Sequence, residues 1–222
     1  MTDTRPRVEL YCSYRSPYSY LAIGRLKRWA EAERVRIALR PVLPLAVRDP
    51  AFFDRVNPLF VSYLMRDTKR VAEYLGVPFR WPRPDPVVME LEPRRIPAKQ
   101  PYIHRLTRLG VAAEQRGKGL DFTYQAGTMM WDGTVEGWHQ GAHLAEACTR
   151  AGLDLAEMDA AIAAEPQTYI DLIEANQQAH REAGHWGVPT MVFEGEPFFG
   201  QDRIDLLEWR VARGRVGRSG AG

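Results

Sequence analysis

Cysteine is the first scarcity. The chain has two, Cys12 and Cys148, far apart, so it carries no disulfide framework and no Cys-x-x-Cys redox motif. No apolar run reaches the roughly 18 residues that a membrane-spanning helix needs. "MTDTRPRVEL" lacks the apolar core of a secretory leader, and the chain reads as cytoplasmic. Lysine is scarce too, although arginine brings Lys+Arg to 30 against Asp+Glu 28. With a net charge of only +2 and no basic run or stripe, nucleic-acid binding is disfavoured.

Apolar residues make up 45% of the 222, enough for a substantial core in one medium domain or a small domain with a large insertion. "RVELYC" alternates Val8, Leu10 and Cys12 with Glu9 and Tyr11, as a half-buried strand does. From Pro17 the apolar residues Tyr18, Leu21, Ala22, Leu26, Trp29 and Ala30 recur at helical spacing. Val35, Ile37 and Leu39 then alternate into a second strand ending at Pro41, which completes a β-α-β unit.

The middle of the chain offers no convincing strand. Asn57-Pro58 opens a helix with Phe60, Leu64, Val71 and Leu75 on one side, stopped by Gly76 and Pro78. Further helices are expected at Pro101–Arg116, near Phe122–Met130, at Trp138–Ala151, after Asp154 with Glu157 in a capping-box pattern, and from Pro166 to Gly184. "GVPTMVFEGEPFFG" then gives two strands about Glu194-Gly195, and "QDRIDLLEWRV" a helix. The sum is an α/β fold: a thioredoxin-like sheet, β-α-β … β-β-α, with a large all-helical insertion. The sheet domain is assigned to 1–44 and 184–222, the insertion to 45–183, and the tail after Arg213 reads as frayed.

In such a fold, paired cysteines stand where a strand leads into a helix. Here "SYRSPYSYLA" places serines, Ser16 and Ser19 of Ser-Pro-Tyr-Ser, in both cysteine positions at that corner. A helix N-terminus gathers unpaired N–H groups and favours an anion. Ser16 therefore reads two ways: as the N-cap before Pro17, or as a hydrogen-bond donor to a thiolate brought by another molecule. Val188-Pro189 in "GHWGVPTMVF" is either an ordinary trans turn or a cis bond facing that corner. Gln201 and Asp202 precede the last helix; they complement its dipole, or they bind the carboxylate and amine of a free amino-acid end. Asn176 lies on an inward helical stripe with Tyr169 and Ile173, where a polar side chain is either bonded to backbone or functional.

Taken in order, "SPYSYLA", "YLMRDTKRVAEYLGVPF", "GLD", "NQQAHREAGHWGVPT" and "FFGQDRIDLL" resemble the 2-hydroxychromene-2-carboxylate isomerases and the related kappa-class glutathione transferases. The resemblance runs from about Val8 to Trp209 and implies a DsbA-like fold. It also implies glutathione as the borrowed thiol, a small-molecule substrate and a homodimer. In that light Ser16 and Asn176 are the catalytic residues, and Asn57, Val188, Pro189, Gln201 and Asp202 hold glutathione. Asn57 is equally an N-cap before Pro58. Asn176 tilts the choice towards the isomerase branch, with a kappa-like transferase or peroxidase, or a non-catalytic binder of the same fold, as alternatives.

Two departures stand out. Such relatives place a lysine near glutathione's glycine end, and none lies between Ala51 and Met65, which leaves Arg66 or Lys69 to substitute. "TYQAGTMMWDGTVEGWHQGAHLAEA" also differs from the isomerase pattern and implies a divergent subgroup with its own substrate. His139 and His143, with Cys148 beyond, lack a firm third ligand, so no metal is expected. Trp131, Trp138 and Trp186 are either core residues or the walls of an aromatic pocket.

Overall fold

The computed structural model describes residues 4–32, 34–91 and 94–214; the tail expected to fray lies outside them apart from Gly214. Strand β1 (Arg7–Cys12) leads into helix α1 (Pro17–Glu31), and β2 (Arg36–Pro41) returns parallel to β1, with Leu10 opposite Leu39. After the helical middle, β5 (Thr190–Phe193) pairs antiparallel with β1, and β6 (Glu196–Phe199) completes the sheet in the order β2-β1-β5-β6. The alternation read in the sequence sets the two faces. Val8, Leu10, Cys12, Met191 and Phe193 join α1 and α10 (Ile204–Arg213) in one core, whereas Tyr11 and Val192 turn to the opposite face.

That opposite face is covered by α9 (Pro166–Glu182), whose Ala179 packs against Tyr11, Val42 and Val192. The imidazole of His180 stacks on Tyr11, with centroids 4.6 Å apart and planes within 7°. The largest core belongs to the helical middle. It joins α5 (Ile103–Gln115), α6 (Gly119–Trp131), α7 (His143–Arg150) and α8 (Leu155–Ala164), and reaches Tyr14, Tyr20 and Leu21 beside the corner. Each buried Leu or Phe side chain contributes about 1.5–3 kcal/mol, so the corner is anchored on a large apolar mass.

Several expectations are corrected. Two four-residue helices, α2 (Leu45–Arg48) and α3 (Phe52–Arg55), precede α4 (Leu59–Leu75), and two two-residue strands, β3 (Glu90–Leu91) and β4 (Arg94–Arg95), form a small hairpin where no strand was expected. Elements this short carry no hydrophobic period to read. The helix expected from Trp138 starts only at His143, because Gly133, Gly137 and Gly141 all have positive φ and turn the chain. Trp138 is instead a buried core residue whose indole donates to Pro84 O at 2.8 Å. Gly76, with φ 63°, ends α4 in the left-handed conformation that its position suggested.

Candidate functional site

Ser16 is the N-cap of α1: its Oγ accepts from Ser19 N at 3.2 Å and its carbonyl from Tyr20 N at 3.1 Å. Its own N–H donates to Ser13 O at 3.0 Å, which closes the turn out of β1. From behind, Trp131 of α6 donates to Tyr14 O at 3.2 Å, and Tyr14 bonds Thr123 at 3.0 Å. Pro17 has no N–H to offer, and the Tyr18 N–H has no partner among the described residues. A positive helix end with a free donor thus points out of the corner.

Facing it is the loop before β5. The Val188-Pro189 bond is cis, and the Ser16 hydroxyl donates to Val188 O at 3.3 Å. Pro189 O accepts from Gly200 N at 2.9 Å and Gly187 O from the Thr190 hydroxyl at 2.7 Å, which ties the loop to both of its neighbours. A side chain at Gly187 would meet the Phe199 ring at 2.4 Å, so only glycine lets β6 lie this close. The Val188 N–H, like that of Tyr18, has no partner among the described residues.

Between corner and loop opens a cleft of about 350 Å³. Ser13, Ser16, Pro17, Gly187 and Val188 line its polar side. Phe52, Phe60 and Leu64 from α3 and α4, with Trp186 and Phe199, make the other side mostly apolar. Two arginines reach it. Arg15 is held by Asp85 through Nε at 3.1 Å and Nη2 at 3.0 Å, whereas Arg48 donates to two backbone carbonyls, Leu43 O at 2.7 Å and Trp186 O at 3.0 Å. A small apolar pocket with a few convergent donors is what a modest organic ligand requires.

The candidate residues separate at this point. Ser16 and Val188 come together in the cleft, with Pro189 buried behind them. Asn57 is exposed and does not line the cleft, its Oδ1 accepting from Leu59 N at 2.9 Å as a helix-start residue does. Gln201 and Asp202 follow Phe199 in a 3-10 turn (Gln201–Arg203) rather than in the helix proper, and Asp202 pairs with Arg203 at 3.2 Å. Asn176 does not line the cleft. Its carboxamide donates to Pro41 O at 3.1 Å and accepts from Arg40 at 3.5 Å, the backbone-bonded alternative left open above.

Other readings are redrawn as well. Arg66 and Lys69, suggested as substitutes for the missing lysine, are exposed on α4 and do not line the cleft; Arg15 and Arg48 are its cations. Phe60, on the apolar side of α4, is 41% exposed because it faces the cleft rather than the core. Of the three tryptophans, Trp131 and Trp138 are core and only Trp186 lines the cleft. Among the described residues no group of three His, Cys, Asp or Glu side chains is placed to hold a metal, and no helix is long and apolar enough to cross a membrane.

The titratable groups near the corner are quiet. Burial pushes the Cys12 thiol up to about 12 and the Cys148 thiol to about 11, so neither is a thiolate at neutral pH. Behind the loop, His180 is fully buried, and neither ring nitrogen makes a hydrogen bond. Burial, then the charge of Arg48 and the neighbouring His185, lower its pKa to about 4. This is a neutral packing histidine at ordinary pH.

Residues 7–212 match the model of the DSBA-like thioredoxin domain, and the chain belongs to that family. No curated protein sequence matches it. Among solved structures it is similar to a 2-hydroxychromene-2-carboxylate isomerase, with TM-score 0.69 and 21% identity over 93% of this chain and 95% of that one. A probable DsbA oxidoreductase from Streptomyces coelicolor gives TM-score 0.67 at 17% identity over 98% and 93%. The cytosolic disulfide reductase DsbM from Pseudomonas aeruginosa, solved with GSH, gives TM-score 0.58 at 16% identity over 86% and 88%. At these identities the likeness is one of fold.

Proposed function

We propose that this DsbA-like chain, with serine where a redox relative needs cysteine, is a glutathione-dependent isomerase of an aromatic or conjugated carboxylic acid. One observation carries the reading: the Ser16 hydroxyl, on the N-terminus of α1, lies 3.3 Å from Val188 O across from a cis proline, and this thiol-free corner opens on an apolar cleft. The polar groups at the corner suit a small peptide thiol. The Val188 N–H and C=O would pair with the backbone of its cysteinyl unit, as one strand pairs with another. The Tyr18 N–H and the Ser16 hydroxyl would then face its sulfur.

When bound, glutathione supplies a thiolate that adds reversibly to an activated double bond and leaves again, so the bond made is the bond broken and no oxidant is consumed. The chain's own part is electrostatic. Ser16 turns its O–H from Val188 O towards the anion while still accepting from Ser19 N, and the helix end adds its partial charge. Phe52, Phe60, Leu64 and Trp186 exclude water from the bond being rotated. Gln201 and Asp202 would hold the γ-glutamyl end only if Asp202 exchanged Arg203 for the ligand's amine. The reducing cytoplasm is the compartment this chemistry needs, and association into a homodimer is part of the same proposal.

Glutathione at millimolar concentration should raise the melting temperature of the purified chain, since a ligand of the native state stabilises it. No shift in a folded sample would remove glutathione from the reading and leave a binder of other ligands. Product analysis then separates the chemistries. Isomerised substrate with total glutathione unchanged is the expected result, whereas a stable conjugate would make the chain a transferase.

A further inference from the structure

Arg15 and Arg48 both line the cleft, yet their circumstances differ. Asp85 grips Arg15 through two oxygens. Arg48 has no carboxylate partner among the described residues; the acid next to it in sequence, Asp49, is paired with Arg55. A guanidinium carries five N–H donors in a rigid fork. The bonds to Leu43 O and Trp186 O use two of them and fix the group across the cleft, between the loop after β2 and the loop before Pro189. The remaining donors have no acceptor among the described residues. Arg181 adds like charge nearby, and together with burial it lowers the pKa of Arg48.

A half-buried cation that the protein itself leaves unneutralised is costly unless something else pairs with it. Here the surroundings are Leu45, Phe52, Phe60, Trp186 and Phe199, which raise the worth of an ion pair by excluding water. We infer that Arg48 is the carboxylate-binding residue of this cleft, its free fork reading an acid group on the bound ligand. Two sources of that carboxylate fit the same chemistry: the glycine end of glutathione, for which the chain lacks the lysine of its relatives, and the acid group of the substrate. Only the first rests on the proposed use of glutathione.

Calorimetric titration of the purified chain with two matched pairs tests the assignment: glutathione against its glycyl ethyl ester, and trans-cinnamate against trans-cinnamamide. In one pair the carboxylate should bind at least about tenfold more tightly than the neutral analogue, and R48Q should cut that preference below about threefold. A preference confined to the glutathione pair names the glycine end; one confined to the cinnamate pair names the substrate. If glutathione fails to bind while the cinnamate pair keeps its preference, the proposed function falls and the role of Arg48 stands. No binding by either carboxylate, no preference in either pair, or a preference undiminished in R48Q overturns it. Should R48Q fail to fold, R48K keeps the charge but loses the fork, and a full tenfold preference there overturns the assignment equally.

Discussion

The two sides of the cleft are built by different means. On one, Ser16, Gly187, Val188 and Pro189 are held by a dense set of hydrogen bonds, with Ser13, Ser19, Tyr20, Thr190 and Gly200 as the partners beyond Ser16–Val188 itself. On the other, Phe52 stands on the short α3, Phe60 and Leu64 on the first turns of α4 and Trp186 on a loop, and Phe60 and Trp186 are 41% and 49% exposed. The first side is held at several points at once, as a group that must meet a reacting atom needs to be. The second offers shape and dryness, and tolerates change. The contrast assigns chemistry to the corner and substrate choice to the wall.

The largest test bears on what lies behind the corner. The folded pKa of His180, about 4, is below its ordinary value of 6.5. The unfolded chain therefore binds a proton that the folded chain refuses between those values. Stability should be complete above about pH 6.5 and fall by on the order of 3 kcal/mol as pH drops towards 4. Arg48, His185 and Arg181 all face the ring and deepen the loss. Denaturant melts across that range check it, and a His180→Phe variant that leaves the acid limb unchanged would show that the ring is not its source.

At the corner itself, Ser16→Ala should lower turnover by about 10- to 100-fold, the worth of a hydrogen bond to a charged group, while costing about 1 kcal/mol of stability from the lost cap. Ser16→Asp separates the two roles, since aspartate caps as well as serine but repels a thiolate. It keeps the cap to Ser19 N while losing the O–H given to Val188 O, and should turn over no better than the alanine variant. Full turnover in Ser16→Ala would reduce the residue to a cap.

Asn176→Ala removes the donor to the buried Pro41 carbonyl and should cost about 1–3 kcal/mol, measured by melting, with ligand affinity unchanged within about twofold. A selective loss of turnover instead would return Asn176 to the catalytic role that the family resemblance implied. Smallest of all, Phe60→Ala should shift stability by under about 0.5 kcal/mol, because the ring is already 41% exposed. It should nonetheless weaken binding of an aryl acid several-fold while leaving the melting shift with glutathione intact. Equal losses for both ligands would erase the division between corner and wall.

The corner side was largely legible in the sequence, for physical reasons. Strand alternation in "RVELYC" and the helical spacing after Pro17 are local signals, and the corner follows from their junction. The facing loop was legible from Val188-Pro189, although sequence left its isomer open; the chain as folded holds it cis. The wall side was not legible. α2 and α3 are four residues each, too short for any period, and Phe60 sits at a helical spacing that serves core and cleft equally. Arg48 gave no signal at all among so many arginines, because its distinction is the lack of a carboxylate partner among the described residues, which only the folded chain reveals. Asn176 was rightly seen to point inward; what lay there was a backbone carbonyl.

The outer strand of the sheet has a consequence for how these molecules behave in a crowd. β6 pairs on one flank with β5, Pro197 opposite Val192 and Glu196 opposite Phe193. Among the described residues its other flank carries no further strand of the sheet. Open rims of this kind are templates on which a neighbouring chain could lay down another strand. Pro197 has no amide hydrogen to offer such a neighbour, and Glu196 sets a charge beside it, paired from behind by Arg210 at 2.8 Å. Strand-to-strand growth is thereby blocked at β6, and the sheet can stay four strands wide at high concentration without a cap.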